Sequence, residues 1–252
     1  VAVALSSTCL GLRTPLGAVL EVLKERHARV VALCRKVKMG CAKLRDAEEL
    51  YWREQGLTAY DVATLGMILR TNGLPRLQRL YLSGNGFGDT GVQALCEALD
   101  LGAAPSLRGL FISDIKFGPA GAEALAAALR RGAMPNLEML FCSNNPIGNL
   151  GVIALAMPLR KLPLLKEMRL VGCEIGDEGV ASLVDNLGKD DFKALEKLWL
   201  YRNEITDTGV AKLSAVLDAG GIPRVTKLAL GGNRASAAAI LALQAALNKR
   251  RK

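Results

Sequence analysis

From Leu77 onward the chain repeats itself. Leu77, Leu107, Leu137, Leu165, Leu195 and Val225 stand 30, 30, 28, 30 and 30 residues apart, and each opens the same text: LQRLYLSGN, LRGLFISDI, LEMLFCSNN, LKEMRLVGC, LEKLWLYRN, VTKLALGGN. A fixed period of this size marks a stack of small units, none of which can bury its apolar face alone. Such a stack is an extended surface, so its function lies in what that surface touches.

Each unit carries two periods. In the first, Leu80 and Leu82 alternate with Arg79, Tyr81 and Ser83, as in a short strand. Further on, Val92, Leu95 and Leu99 follow helical spacing. That stripe recurs as Ala122/Leu125/Leu129, Val152/Leu155/Leu159, Val180/Leu183/Leu187, Val210/Leu213/Leu217 and Ile240/Leu243/Leu247. Strand and helix leucines must therefore face each other. Pro75, Pro105, Pro135, Pro163 and Pro223, each two residues before an opener, stop the preceding helix. Asn85, Asn145, Asn203 and Asn233 close the strand text, where a short amide can bind turn backbone; Ile115 and Cys173 replace it in two units.

The text resembles leucine-rich repeats of the ribonuclease-inhibitor-like class, which read LxxLxLxxN, then an I-G-D-x-G-like link, then an amphipathic helix. The link stands here as FGDTG from Phe87, FGPAG from Phe117, IGNLG from Ile147, IGDEG from Ile175 and ITDTG from Ile205. The resemblance implies an α/β fold: a right-handed β/α solenoid, horseshoe or arc, with a parallel inner sheet and outer helices. Cysteine at the Cys173 position is familiar in that class, whereas Ile115 departs from it.

A shift of 30 residues places a degenerate first unit at Ala47–Gln55, its strand near Glu49–Trp52, and a capping last unit whose link (Ala235–Ala239) lacks glycine. The expected organisation is therefore 1–43 as an N-terminal helical cap or linker and 44–252 as a repeat domain of about seven units. Thr14-Pro15 is a helix-start signal, with a break expected near Lys38–Gly40. Pro158 falls inside the helix of the short unit and is expected to be a tolerated defect on its convex side.

The net charge of +9 sits at the ends. Residues 1–43 hold eight Lys/Arg against Glu21 and Glu25, and 249–252 are all basic, leaving the array near neutrality. A nucleic-acid reader of this type would carry a basic stripe along its inner face, so nucleic acid on the concave face is not expected; the basic termini suit an acidic protein or membrane surface. Six cysteines at scattered positions without CxxC spacing point to a reducing, intracellular and cytoplasmic compartment. No apolar run reaches membrane-spanning length. The chain does not begin with Met, so a processed form or fragment is expected, with any targeting sequence upstream.

Catalytic chemistry has little to stand on. His27 is the only histidine, which excludes a His-based triad or a two-His metal site. The glycine-rich link lacks the phosphate-loop lysine. Asp190-Asp191 and Glu48-Glu49 show no convergent partner. No enzyme, cofactor or metal is expected.

The informative column is the x of LxL: Tyr51, Tyr81, Phe111, Phe141, Arg169, Trp199, Ala229. It holds five of the eleven aromatic residues, and Tyr201 points to the same side. Arg79 and Arg108 lie around it. Aromatics with arginine are the composition of protein–protein interfaces. The expected partner-binding residues are thus Tyr51, Tyr81, Phe111, Phe141, Arg169, Trp199, Tyr201, Arg79 and Arg108. The expected function is a non-catalytic protein-interaction module, possible as a subunit or domain of a larger assembly. The alternatives are a GTPase-activating regulator of a small GTPase, because Ran GTPase-activating proteins carry similar repeats and links, and a purely structural subunit.

Overall fold

The computed structural model describes residues 10–71, 73–99 and 104–250, with side chains from residue 17. The chain divides into two compact units after Leu44. The first holds α1 (Leu10–Lys36) and α2 (Cys41–Arg45). Helix α1 starts ahead of the Thr14-Pro15 signal, and the break falls where expected, with Lys38 at φ 51°. Cys34 and Cys41 flank that turn with their sulfurs 3.2 Å apart. These two thiols are therefore neighbours and not scattered, because the helix reversal brings positions seven residues apart together. Burial pushes the Cys34 thiol up to about 12, with Cys41 adding to the rise. Cys9, Arg251 and Lys252 lie outside the described residues.

The second unit alternates strand and helix: β1 (Glu49–Tyr51), α3 (Ala59–Arg70), β2 (Arg79–Tyr81), α4 (Gly88–Ala98), β3 (Gly109–Phe111), α5 (Pro119–Arg130), β4 (Met139–Phe141), α6 (Gly148–Arg160), β5 (Glu167–Arg169), α7 (Asp177–Val184), β6 (Lys197–Trp199), α8 (Asp207–Asp218), β7 (Lys227–Ala229), α9 (Ala237–Lys249). The strands form one open parallel sheet in sequence order. Register is one unit to the next throughout, so Leu50, Leu80, Leu110, Leu140, Met168, Leu198 and Leu228 stand in one row. That row is buried, as are Val92, Leu95 and Leu99 and their helical counterparts through Leu213 and Leu217, except Leu187, which is half-buried. Each buried leucine contributes roughly 1.5–3 kcal/mol, and the sum over two facing layers holds the stack together. The degenerate first unit is part of the array, with Trp52 buried where other units place the third leucine.

The asparagine positions act as expected. Asn145 Oδ1 accepts from the amides of Ile115 and Phe117 while its Nδ2 donates to the carbonyls of Ile112 and Cys142. Asn85, Asn203 and Asn233 make the same kind of bridge between units. Cys173 donates its thiol to the carbonyls of Cys142 and Val171, and Ile115 is simply buried.

The irregular unit corrects two expectations. Pro158 is buried rather than a convex-side defect. Two residues later Arg160 is buried too, donating to the carbonyls of Leu183 and Ser182 at the end of α7. That helix is short and stops at Val184, so Leu187 lies beyond it. Asp191 does have partners: it is 3% exposed, 2.6 Å from Lys161 Nζ and 3.9 Å from Arg160, and it accepts from the Gly188 amide. Burial pushes its carboxyl up, but Lys161, the Gly188 amide and Arg160 outweigh that and hold it below the usual range.

Candidate interaction surface

The odd positions of the strands leave the core and form columns across the sheet, with neighbours about 4.8 Å apart. The x column is a continuous ladder. Tyr51 stacks on Tyr81 (4.6 Å between centroids) and Tyr81 on Phe111 (4.2 Å), and Phe141 meets Phe111 edge-on at 4.7 Å. The Arg169 guanidinium then lies 4.0 Å from the Phe141 centroid and 5.3 Å from that of Trp199. Lys227 Nζ covers Trp199 at 4.3 Å, and Tyr201 tilts against it at 5.9 Å. Parallel register places these groups in line, and aromatic and cation–aromatic contact holds them there.

Exposure along the ladder is uneven. Tyr51 is 66% exposed and Tyr201 36%, but Phe111 only 7%. The cause is Gly109, whose place other units fill with Arg79 or Met139. A Cβ there would lie 2.7 Å from the Phe111 ring, so the ring folds over the glycine. Phe111 therefore belongs to the floor of the surface and does not stand out from it. Arg108 lies around the ladder, not in it. It sits one column aside, before the strand, and pairs with Glu138 at 3.0 Å.

Two acidic anchors organise the polar groups beside the ladder, and sequence reasoning missed both as site residues. Glu49 accepts from the Tyr51 hydroxyl and from Arg79, holding the arginine charge more firmly. Glu167 accepts from Arg169 (2.7 Å), Trp199 Nε1 (3.0 Å) and Lys197 (3.4 Å). Burial favours the neutral acid, but Arg169 and Lys197 outweigh it and hold the Glu167 carboxyl below the usual range. Glu138, bonded by Lys166 and Arg108, is likewise lowered. The available signal was Glu167 standing two residues before Arg169 and one unit before Lys197. A third column binds the units through serine: Ser83 Oγ accepts from Ser113 N, and Ser113 Oγ from Ser143 N.

The buried thiols are inert. Burial pushes Cys96 and Cys173 up to about 12 and Cys142 well above the ordinary value. Among the described residues no three His, Cys, Asp or Glu side chains converge as a metal site, and no helix is long and apolar enough to cross a membrane.

An open parallel sheet of one-register strands, backed by helices and faced with an aromatic ladder, defines a solenoid of the recognition-surface type. Its units are leucine-rich repeats. A family profile described as "Leucine Rich repeat" matches residues 74–96 and 161–184, within two of the units described above. No curated protein matches the chain by sequence. A solved structure titled "Leiomodin-1 Actin-Binding Site 2 (ABS2)" aligns at a TM-score of 0.44 and 13% identity, over 54% of this chain and 77% of that one.

Proposed function

We propose that the protein is a non-catalytic interaction module that binds a protein partner through the concave ladder. The observation that carries this is the unbroken run of rings and cations from Tyr51 to Lys227, with Tyr51 and Tyr201 exposed. Apolar rings beside fixed charges combine anchor and orientation, which is how interface hot spots work. The glycine links and Cys173 support the ribonuclease-inhibitor-like class, and the five cysteines among the described residues, all free thiols, support a reducing, intracellular setting. We take 1–43 as a helical cap or linker and 44–252 as the repeat domain.

Capture from native lysate with mass spectrometry, run in parallel on variants, tests the reading. Tyr81→Ala and Trp199→Ala should each weaken the captured interaction by about 1–4 kcal/mol, and deletion of 249–252 should change it little. Capture that survives both aromatic changes and is lost with the basic end would move the function to the termini. Stimulated GTP hydrolysis by a small GTPase would decide for the GTPase-activating alternative.

A further inference from the structure

The two halves of the ladder differ in charge. In the first half each cation beside the rings has its own carboxylate, Arg79 with Glu49 and Arg108 with Glu138, which Lys166 at the start of the second half also reaches. In the second half Glu167 alone serves both Arg169 and Lys197. Lys227 lies against the Trp199 ring, and neither it nor Arg202 has a carboxylate within ion-pair distance among the described residues. Arg169, Lys197, Lys227, Arg202 and Arg234 stand against Glu167, Glu174 and Glu204, an excess of two positive charges around Trp199 and Tyr201. Strand spacing keeps them within about one or two Debye lengths of each other at physiological salt, so they act as one field.

The last unit is shaped to expose this group. Beyond Lys227 it offers only Ala229, Gly231 and Gly232 on the outward side. A Cβ at Gly231 would sit 3.0 Å from the Tyr201 ring, and one at Gly232 would sit 3.3 Å from Arg202 Cγ. The absence of side chains there lets Tyr201 and the Arg202 stem lie across the end of the sheet. Arg202 itself stands at φ 53°, in the left-handed turn position that Gly84, Gly172 and Gly232 fill in three other units and the short polar or acidic residues Glu54, Asp114 and Asn144 in the remaining three. Glycine is the easier residue there, so the turn does not explain the arginine.

We infer that this second half, β5 to β7, receives an acidic segment of a protein partner. Its carboxylates would meet Lys197, Lys227 and Arg202, and an apolar side chain would lie beside Trp199 and Tyr201. The inference rests on the concave-face reading and adds its chemistry. A single-stranded nucleic acid would also find rings and cations here. The carboxylate of Glu167 at the centre of the patch, and a width of three strands, favour discrete carboxylates over a phosphate chain.

The test is selection of displayed random peptides on the intact chain, followed by affinity measurement on synthetic copies. Selected peptides should be rich in Asp and Glu and carry an aromatic or aliphatic residue. Lys227→Glu and Arg202→Gly should each weaken them by about tenfold or more, with a steep loss at high salt, while Gln93→Ala, exposed on helix α4, leaves them bound. Arg202→Gly installs the residue the turn prefers, so a folding defect cannot mimic this result. Neutral or basic peptides released by Tyr81→Ala would overturn the acidic assignment and leave the concave-face reading standing. Peptides released by none of these variants, or no selection at all, would count against both. An oligouridylate that competes for the patch at equal affinity would overturn the protein-segment assignment in favour of nucleic acid.

Discussion

At the scale of single residues, the missing side chain of Gly109 decides what Phe111 does. Its ring fills the space above that glycine and stacks between Tyr81 and Phe141, whereas Tyr51 at the end of the ladder has a neighbour on one side only. Phe111→Ala should therefore cost about 3 kcal/mol of stability, and Tyr51→Ala under about 1 kcal/mol, in urea unfolding. Equal costs would mean that the Phe111 ring is not part of the core. On the opposite face, Leu140 and Leu198 are fully buried between the sheet and the helices. Leu140→Asp or Leu198→Asp would place a charge there with no partner, a loss of more than about 4 kcal/mol that should abolish the cooperative transition. A near-native melting curve for either variant would contradict the inward assignment. The column itself was legible in the sequence because period two and a fixed unit length determine which residues share a face. Its burial was not, because that depends on the side chain two positions back on the same strand, which Gly109 lacks.

At the scale of elements, the joints between units are Asp or Asn side chains that reach forward by one repeat. Asp89 Oδ1 accepts from the amides of Gly118 and Gly121, Asn149 Oδ1 from Gly176 and Gly179, and Asp177 Oδ1 from Thr206 and Gly209. Each caps the start of the next helix, where free amides and the helix dipole favour a negative oxygen. The second glycine of the link follows from this, since a Cβ at Gly209 would lie 2.5 Å from Asp177 Oδ1. Asp177→Ala should lose about 1–2 kcal/mol, measured by chemical unfolding, and Asp177→Asn much less. The link was visible as text, but its Asp or Asn position had no assigned role until the next unit was stacked on it. The Arg160–Asp191 pair was less legible still, because its members lie 31 residues apart and fall outside the repeat pattern. Asp191 has a lowered folded pKa, so its contribution is fully present above the ordinary carboxylate value and fades as pH falls through the folded one. Asp191→Asn should cost about 2–3 kcal/mol at neutral pH by leaving Arg160 buried without its counter-charge. That difference should shrink below about pH 4. A pH-independent difference would show that the carboxylate charge is not what matters.

At the scale of the whole array, stability is a sum of neighbour contacts, so it should fall where a unit has one neighbour instead of two. The helices show the gradient toward the C-terminal end, whereas α3 in the first unit buries six residues. Helices α5 and α6 each bury six or seven residues, α8 buries four, and α9 only Leu243 and Leu247. Helix α9 is also capped by its own Ser236, whose side chain accepts from Ala239 N, while Asp207 Oδ1 of the unit before accepts from the Ser236 amide. Amide exchange should therefore be fastest in α9, intermediate in α8 and slowest across α5, α6 and β3 to β5, since local opening follows buried contact. Hydrogen exchange read by mass spectrometry resolves these segments directly. If binding is carried by β5 to β7, an acidic peptide held there should slow exchange in β7 and in the turn at Arg202 more than in β2 or β3. Uniform exchange along the array would mean that it opens as one block, and protection confined to β2 and β3 would place the bound peptide on the aromatic half instead.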